Sequence, residues 1–240
     1  MLLLCYVVNA YAVKTIRFAT EATYPPFEYL DASGKIKGFD IDLANALCAQ
    51  MKVQCEFSNQ TFQSLIPSLK LGKFDAVIST LNITPEREKQ VAFTHPYYLP
   101  SGSFVGLTDK HYSLSNLTGK TIGVQQSSTF EKYLQDKFGD KITIKTYAGI
   151  QDTFLDLASG RVDLVLADTP IAQEWLQRDN NSKQYSVIDK PFFDAHYFGT
   201  GYGIAVNQRN KELLTALNKA LADVKANGTY TKIFNQYFSK

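Results

Sequence analysis

The chain reads as two similar α/β domains facing each other across a cleft, and three observations predict it. A phrase occurs twice, as Leu71-Gly72-Lys73-Phe74-Asp75-Ala76-Val77-Ile78-Ser79-Thr80 and as Ser159-Gly160-Arg161-Val162-Asp163-Leu164-Val165-Leu166-Ala167-Asp168. Each copy follows an amphipathic helical stretch, 62–71 or 153–158, and continues into a short apolar run, the order of a helix, a glycine stop and a buried strand. Each copy ends in polar residues, Ser79 and Thr80 in one and Asp168 in the other, at the strand ends where open α/β sheets bind ligands. Strands without polar alternation are covered by helices on both faces. Two copies about one domain length apart imply two such units.

The elements follow in order. Residues 15–19 read as a strand, Pro25-Pro26 as a turn, 27–30 as a short extended segment and Asp31-Ala32-Ser33-Gly34 as another turn. A helix from 40 or 41 to 51 carries Leu43, Leu47 and Met51 on one face, and 52–57 is the next strand. A helix over 61–71 contains Pro67, which marks a kink or a first turn, and 75–79 is the strand of the repeated phrase. Thr84-Pro85 opens a helix, with Thr84 as N-cap and Pro85 at its first position. Residues 93–106, with Pro96, Pro100, Gly102 and Gly106, read as the first crossing between domains.

The second unit repeats the first: strand 121–124, helix 129–138, strand 142–146 and helix 151–158, with a further helix opening at Thr169-Pro170. The glycine-rich stretch Tyr197-Phe198-Gly199-Thr200-Gly201-Tyr202-Gly203 precedes a strand at 204–206 and reads as the return crossing, because a nucleotide loop would follow a strand and open a helix. Helices over 211–226 and 229–238 close the chain. Hinge strands near 100–104 and 196–199 then divide it into 13–102 plus 199–240 and 103–198.

Composition sets the class. The 240 residues are 45% apolar and 20% charged, as in soluble globular proteins, and a net charge of +2 argues against nucleic acid or a membrane surface as main partner. Residues 1–12 differ: Leu2-Leu3-Leu4-Cys5-Tyr6-Val7-Val8 is apolar and Ala10-Tyr11-Ala12 has the small-x-small form of a signal-peptidase site, so cleavage is expected after Ala12. The alternative is an apolar N-terminal strand, and the run is too short for a membrane anchor. Export leaves Cys48 and Cys55, whose default state is then a disulfide. A two-cysteine metal or redox site would lack both C-x-x-C spacing and a neighbouring His.

Arg87 is the most informative single residue. It falls near the third position of its helix, where a cation opposes the helix dipole, so local stability does not account for it. Beside free N–H groups it would grip a carboxylate; the bland reading is a solvated Arg paired with Glu86. Ser128 and Glu131 form a capping box in the second unit, and Thr129 would meet the same anion from the other side. Asp168 is either an N-cap or the partner of a ligand ammonium. Glu21, Tyr24 and Phe62 lie at loops or a helix start, where two rings would sandwich a ligand side chain and Glu21 would accept from its cationic end; the bland reading of Phe62 is a core aromatic. There is no G-x-S-x-G, H-E-x-x-H or P-loop, and His95, His111 and His196 are scattered, so no catalytic, metal or cofactor site is expected.

These residues, with Thr23-Tyr24-Pro25-Pro26-Phe27-Glu28, Gly38-Phe39-Asp40-Ile41-Asp42-Leu43, Leu65-Ile66-Pro67-Ser68-Leu69, Ile83-Thr84-Pro85-Glu86-Arg87 and Tyr197-Phe198-Gly199-Thr200-Gly201, closely resemble the periplasmic amino-acid-binding proteins of ABC importers, the type II "Venus flytrap" family. The resemblance covers essentially the whole mature chain and is greatest to the arginine and lysine/arginine/ornithine binders, including the Cys48 and Cys55 pair. It implies a monomer in the periplasm that closes around L-arginine and delivers it to a membrane permease. It implies that Arg87 holds the ligand carboxylate, helped by Thr129 and backbone around Thr80 and Asn82. Asp168 and Ser79 would take the α-ammonium, Tyr24 and Phe62 would stack on the side chain, and Glu21 would read its charged end. Lysine/arginine/ornithine binders tend to have Asp at Glu21, Ser at Thr80 and Asn82, and Gln at Phe130; the phrases 15–22 and 84–90 look most like the arginine binders. The alternatives are a binder of lysine, ornithine, histidine or a polar neutral amino acid, a dehydratase on the same fold with Glu21 as its acid, and a sensor module, which would need a fused membrane or signalling segment.

Overall fold

The repeated phrase folds the same way twice. In both copies the glycine takes a left-handed conformation, with φ 72° at Gly72 and 68° at Gly160, and stops the preceding helix. The N–H groups of Lys73 and Arg161 then bond back to the carbonyls of Ser68 and Asp156, at 3.1 and 2.8 Å. The aspartate of each phrase ties the new strand to its neighbour: Arg17 N–H donates to Asp75 Oδ2 and Thr121 N–H to Asp163 Oδ2, both at 2.9 Å. Those neighbours are inner strands of two separate sheets.

The computed structural model describes residues 14–239. The expected leader, its cleavage point after Ala12 and Cys5 lie outside the described residues. The first part of the chain runs β1 (Thr15–Thr20), β2 (Thr23–Tyr24), β3 (Glu28–Leu30), β4 (Ile36–Lys37), α1 (Phe39–Met51), β5 (Gln54–Asn59), α2 (Leu65–Lys70), β6 (Ala76–Val77), α3 (Pro85–Glu88) and β7 (Ala92–Phe93). The second runs β8 (Gly102–Leu107), β9 (Thr121–Gln125), α4 (Thr129–Phe138), β10 (Thr143–Tyr147), α5 (Ile150–Ala158), β11 (Leu164–Asp168), α6 (Thr169–Gln177), β12 (Tyr185–Phe192) and α7 (Ala195–Phe198). β13 (Ala205–Val206), α8 (Lys211–Ala226) and α9 (Thr229–Phe238) complete it.

Two five-stranded sheets result, ordered β5-β1-β6-β13-β7 and β10-β9-β11-β8-β12, with β2, β3 and β4 as a small separate sheet. The phrase strands β6 and β11 hold equivalent places at the centre of their sheets, each parallel to the neighbouring inner strand β1 or β9. The strand next to each is antiparallel to it, β13 beside β6 and β8 beside β11. Residues alternate between faces: Phe18 and Ile78 pack with Leu43 and Leu47 of α1, whereas Ala19 and Val77 pack with Leu65 and Leu69 of α2. In the second sheet Ile122, Val124, Leu164 and Leu166 face Leu134 of α4, and Val165 and Ala167 join Phe154 and Leu157 of α5. Helices on both faces make these two α/β domains, as the apolar strands imply.

Some expectations shift. The helix expected over 61–71 is a 3₁₀ turn at Phe62–Ser64 followed by α2, with Pro67 in its first turn, where a missing N–H costs nothing. The strand expected at 75–79 is paired in parallel with β1 at Ala76 and Val77 alone. The return crossing includes the one-turn helix α7. β12 is not anticipated from sequence because Pro191 interrupts it; it sits at the sheet edge, where proline is tolerated, and its register shifts between Ile188 and Phe192. Among the described residues no helix is long and apolar enough to cross a membrane.

Cys48 in α1 and Cys55 in β5 form the expected disulfide, with Cα atoms 6.0 Å apart. On the chain-entropy estimate so short a loop stabilises by about 2 kcal/mol. Reduction is expected to lower the thermal midpoint by roughly 4–8 °C, read by scanning calorimetry with and without dithiothreitol.

Candidate functional site

The carboxyl ends of β1 and β6 meet those of β9 and β11, so the polar residues ending each strand converge. Direct hydrogen bonds join the two sides. Gln125 Nε2 donates to Glu21 Oε2 at 3.1 Å, Tyr24 OH to Asp168 Oδ2 at 2.7 Å, Thr129 Oγ1 to Asn82 Oδ1 at 3.0 Å, and Arg87 Nη2 to the Ser127 carbonyl at 3.3 Å.

Arg87 is held by its helix start. Thr84 caps α3 by accepting from the Arg87 N–H at 3.3 Å, and Pro85 takes the first position, as the sequence predicts. The guanidinium is buried over the Phe62 ring, 5.5 Å from its centroid, and donates to the Asn82 carbonyl at 3.2 Å. It has no carboxylate within 4.0 Å among the described residues, so the pairing with Glu86 does not occur. Burial alone pushes its pKa down to about 10. A surface pocket of about 380 Å³ opens beside it, lined by Ser127, Thr129, Lys132 and Tyr197 among others. Phe62 is half-buried at the margin of the first domain's core.

Thr129 is the first residue of α4. Its cap is Ser128, which accepts from Glu131 N–H at 3.1 Å, while Glu131 Oε2 accepts from Ser127 N–H at 2.6 Å. The Asn82 side chain also donates to the Phe198 carbonyl at 3.0 Å, tying α7 to the site.

Asp168 occupies the N-cap position of α6, yet its side chain makes no cap bond. It accepts instead from two phenols, Tyr24 and Tyr202. Its burial raises its pKa to about 7, against the lowering effect of the two hydroxyls. Glu21 is also buried; its Oε1 accepts from Thr23 Oγ1 at 2.5 Å, and desolvation raises its pKa despite the Thr23 and Gln125 bonds. Ser79 Oγ accepts from the Glu21 N–H at 3.0 Å and donates to Glu28 Oε1 at 2.9 Å. Thr80 has φ 44°, and its N–H donates to Asp40 Oδ2 at 3.0 Å, so that N–H is committed within the protein.

The nine residues singled out from sequence thus fall around one junction between the sheets. Sequence reasoning misses Gln125, Tyr202, Glu28 and Asp40. Gln125 carries the same signal as Ser79, a polar end to an apolar strand. Tyr202 carries none; it is placed by the return segment, where Ile83 N–H bonds Gly201 O and Tyr97 N–H bonds Tyr202 O, both at 2.8 Å. Among the described residues no cluster of three or more His, Cys, Asp or Glu side chains would hold a metal ion.

The model of the bacterial extracellular solute-binding proteins, family 3, matches residues 16–240. The chain is 48% identical over 237 residues to ABC transporter arginine-binding protein 1 of Escherichia coli K12, covering 99% of this chain and 96% of that one. Its structure is similar to that of a Salmonella typhimurium periplasmic binding protein described for high arginine specificity, with TM-score 0.89 and 41% identity over 94% of this chain and 100% of the other. It is also similar to an ancestral arginine-binding protein bound to arginine, with TM-score 0.86 and 39% identity over 93% and 98% of the two chains. On its fold, its repeated architecture and this match along nearly its whole length, the chain belongs to family 3 of the bacterial extracellular solute-binding proteins.

Proposed function

We propose that the protein captures a basic L-amino acid, arginine, in the periplasm, closes around it and presents it to the permease of an ABC importer. One observation carries the reading: among the described residues, one buried cation without a carboxylate partner, Arg87, and two buried carboxylates without a cation, Asp168 and Glu21, bond across the junction, with the acids Glu28 and Asp40 set behind Ser79. Arginine has the opposite set, one carboxylate and two cationic groups. Arg87 would take the carboxylate with Thr129, Asn82 and the Thr80 hydroxyl. Asp168 and Ser79 would take the α-ammonium, Tyr24 and Phe62 would flank the side chain, and Glu21 would receive the guanidinium. The names of the similar proteins support the same ligand. Domains of 13–102 plus 199–240 and of 103–198 would close as a monomer, because one ligand bonding to both halves favours the closed state.

This is a binding role rather than catalysis. A dehydratase would need an acid poised toward substrate, and both oxygens of Glu21 already accept hydrogen bonds. Titration calorimetry of ligand-stripped protein with arginine, lysine, ornithine, histidine and glutamine tests the reading, with one-to-one binding led by arginine expected. Binding of none, or turnover of prephenate, would overturn it. Glu21→Gln is expected to weaken arginine by about tenfold or more and glutamine far less, since it removes a charge-assisted bond. An equal loss for both would remove Glu21 from the side-chain subsite.

A further inference from the structure

Behind Ser79 lies a second pair of acids that ligand contact does not explain. Glu28 opens β3, opposite Tyr24 in the hairpin, and Asp40 is the second residue of α1. Their exposures are 1% and 0%, and neither has a cation within 4.0 Å among the described residues. Asp40 Oδ2 accepts from the Thr80 N–H at 3.0 Å and from Tyr97 OH at 2.7 Å, and Glu28 Oε1 accepts from Ser79 Oγ at 2.9 Å. The remaining oxygens, Glu28 Oε2 and Asp40 Oδ1, are buried with no other hydrogen-bond partner. Beyond burial, which raises both pKa values, a side-chain hydrogen bond between the two raises Glu28 and lowers Asp40. Two buried carboxyls so joined do not both ionise, and one proton between them satisfies both orphan atoms.

We propose that Glu28 and Asp40 are positioning residues that share a single proton, and that they thereby fix Ser79 as an acceptor for the ammonium end of the ligand and hold the adjacent Thr80 in its left-handed turn. This rests on the ammonium reading given above. The negative charge sits on Asp40, because the N-terminus of α1, the Thr80 N–H and the Tyr97 hydroxyl all favour an anion there. Glu28 is the neutral member; burial pushes its pKa well above the usual carboxylate range, with Asp40 and Glu21 adding to the effect. Ser79 then has its hydrogen directed at Glu28 and one lone pair filled by the Glu21 N–H. What it offers a ligand is a lone pair, which suits an ammonium and repels a carboxylate.

The groups facing the pair are Tyr24 from the hairpin, Glu21 beyond Ser79, Tyr97 from the segment after β7 and Tyr230 from α9, all acidic or phenolic. Glu28 is protonated in the folded chain at pH values where it is ionised in the unfolded chain, so its contribution to stability is full below about pH 4.3 and is lost as pH rises through the folded value. Glu28→Gln keeps an N–H donor toward Asp40 and an acceptor for Ser79 but does not titrate.

The test compares wild type, Glu28→Ala and Glu28→Gln by titration calorimetry with arginine and by thermal midpoint between pH 4.5 and 8. Glu28→Ala is expected to lose about tenfold or more in arginine affinity, and Glu28→Gln to regain most of it. The midpoint of wild type is expected to fall more steeply with rising pH than that of Glu28→Gln; titration of Asp168, of Glu21 and of Asp40, whose burial raises its pKa to about 6, is common to both and cancels. Equal slopes, or wild-type affinity in Glu28→Ala, would overturn the proposal. If Glu28→Ala does not fold, the slope comparison decides. If wild type binds no amino acid, the functional reading fails by itself and the slopes still decide whether a proton is shared.

Discussion

Replacing Arg87 with alanine is expected to abolish arginine binding while leaving the thermal midpoint no lower than that of wild type. The two outcomes have one cause. The guanidinium is buried against two carbonyls and the Phe62 ring with no carboxylate partner among the described residues, and its lowered pKa records how unfavourable that burial is. Removing it relieves a desolvation cost that offsets the lost hydrogen bonds and packing. With ligand present the balance reverses, because the incoming carboxylate would be buried and unpaired. Losing one partner of a buried ion pair costs about 3–5 kcal/mol, or roughly 10²–10⁴-fold in affinity. Calorimetric titration together with a thermal melt reads both; a variant that melts normally and still binds arginine would remove Arg87 from the carboxylate subsite.

Asp168→Asn is expected to weaken arginine by at least about tenfold and, more tellingly, to remove the pH dependence of binding near neutrality. The Asp168 carboxyl has a pKa of about 7 because it is desolvated. Only its ionised form attracts an ammonium, so affinity is full above pH 7 and falls as pH drops below it. A bound ammonium would return the pKa toward ordinary carboxylate values near 4, so binding between about pH 4 and 7 expels up to one proton. Titrations in buffers of different ionisation enthalpy measure that proton. Wild type is expected to release it at pH 6 and Asp168→Asn is not; equal proton release by the two would detach Asp168 from the ammonium.

Local chemistry made much of the fold legible. The span of α4 follows from its Ser128 cap, that of α8 ends at Asn227-Gly228, and Thr84-Pro85 starts α3 where capping rules place it. Repetition of the phrase foretold equivalent places for β6 and β11, because each needs the same glycine stop and the same aspartate clip onto a neighbouring strand. The misses share a different cause. Gln125 meets Glu21 across 104 residues of sequence, and Tyr202 reaches Asp168 across 34. Which polar residue meets which is decided when the strand ends of the two sheets come together, and no short window of sequence contains that event. Asp40 was visible as an acidic residue in the first turn of a helix, a place helix electrostatics explains fully. Nothing local says that Glu28 lies against it.

The position of β13 between β6 and β7 bears on how the chain comes to be folded. Strands β6 and β7 are made early, but they do not pair with each other; the gap between them is filled by Ala205 and Val206, synthesised more than a hundred residues later. Until then the first sheet is missing an inner strand, and α8 and α9 are not yet laid against α1. Contacts of such high sequence separation form slowly, since loop closure precedes any gain. A nascent chain of this topology stays open through most of its synthesis, whereas β8 to β12 form a contiguous unit able to assemble sooner. Under the periplasmic role proposed above, late closure would keep the chain in the threadable state for longer.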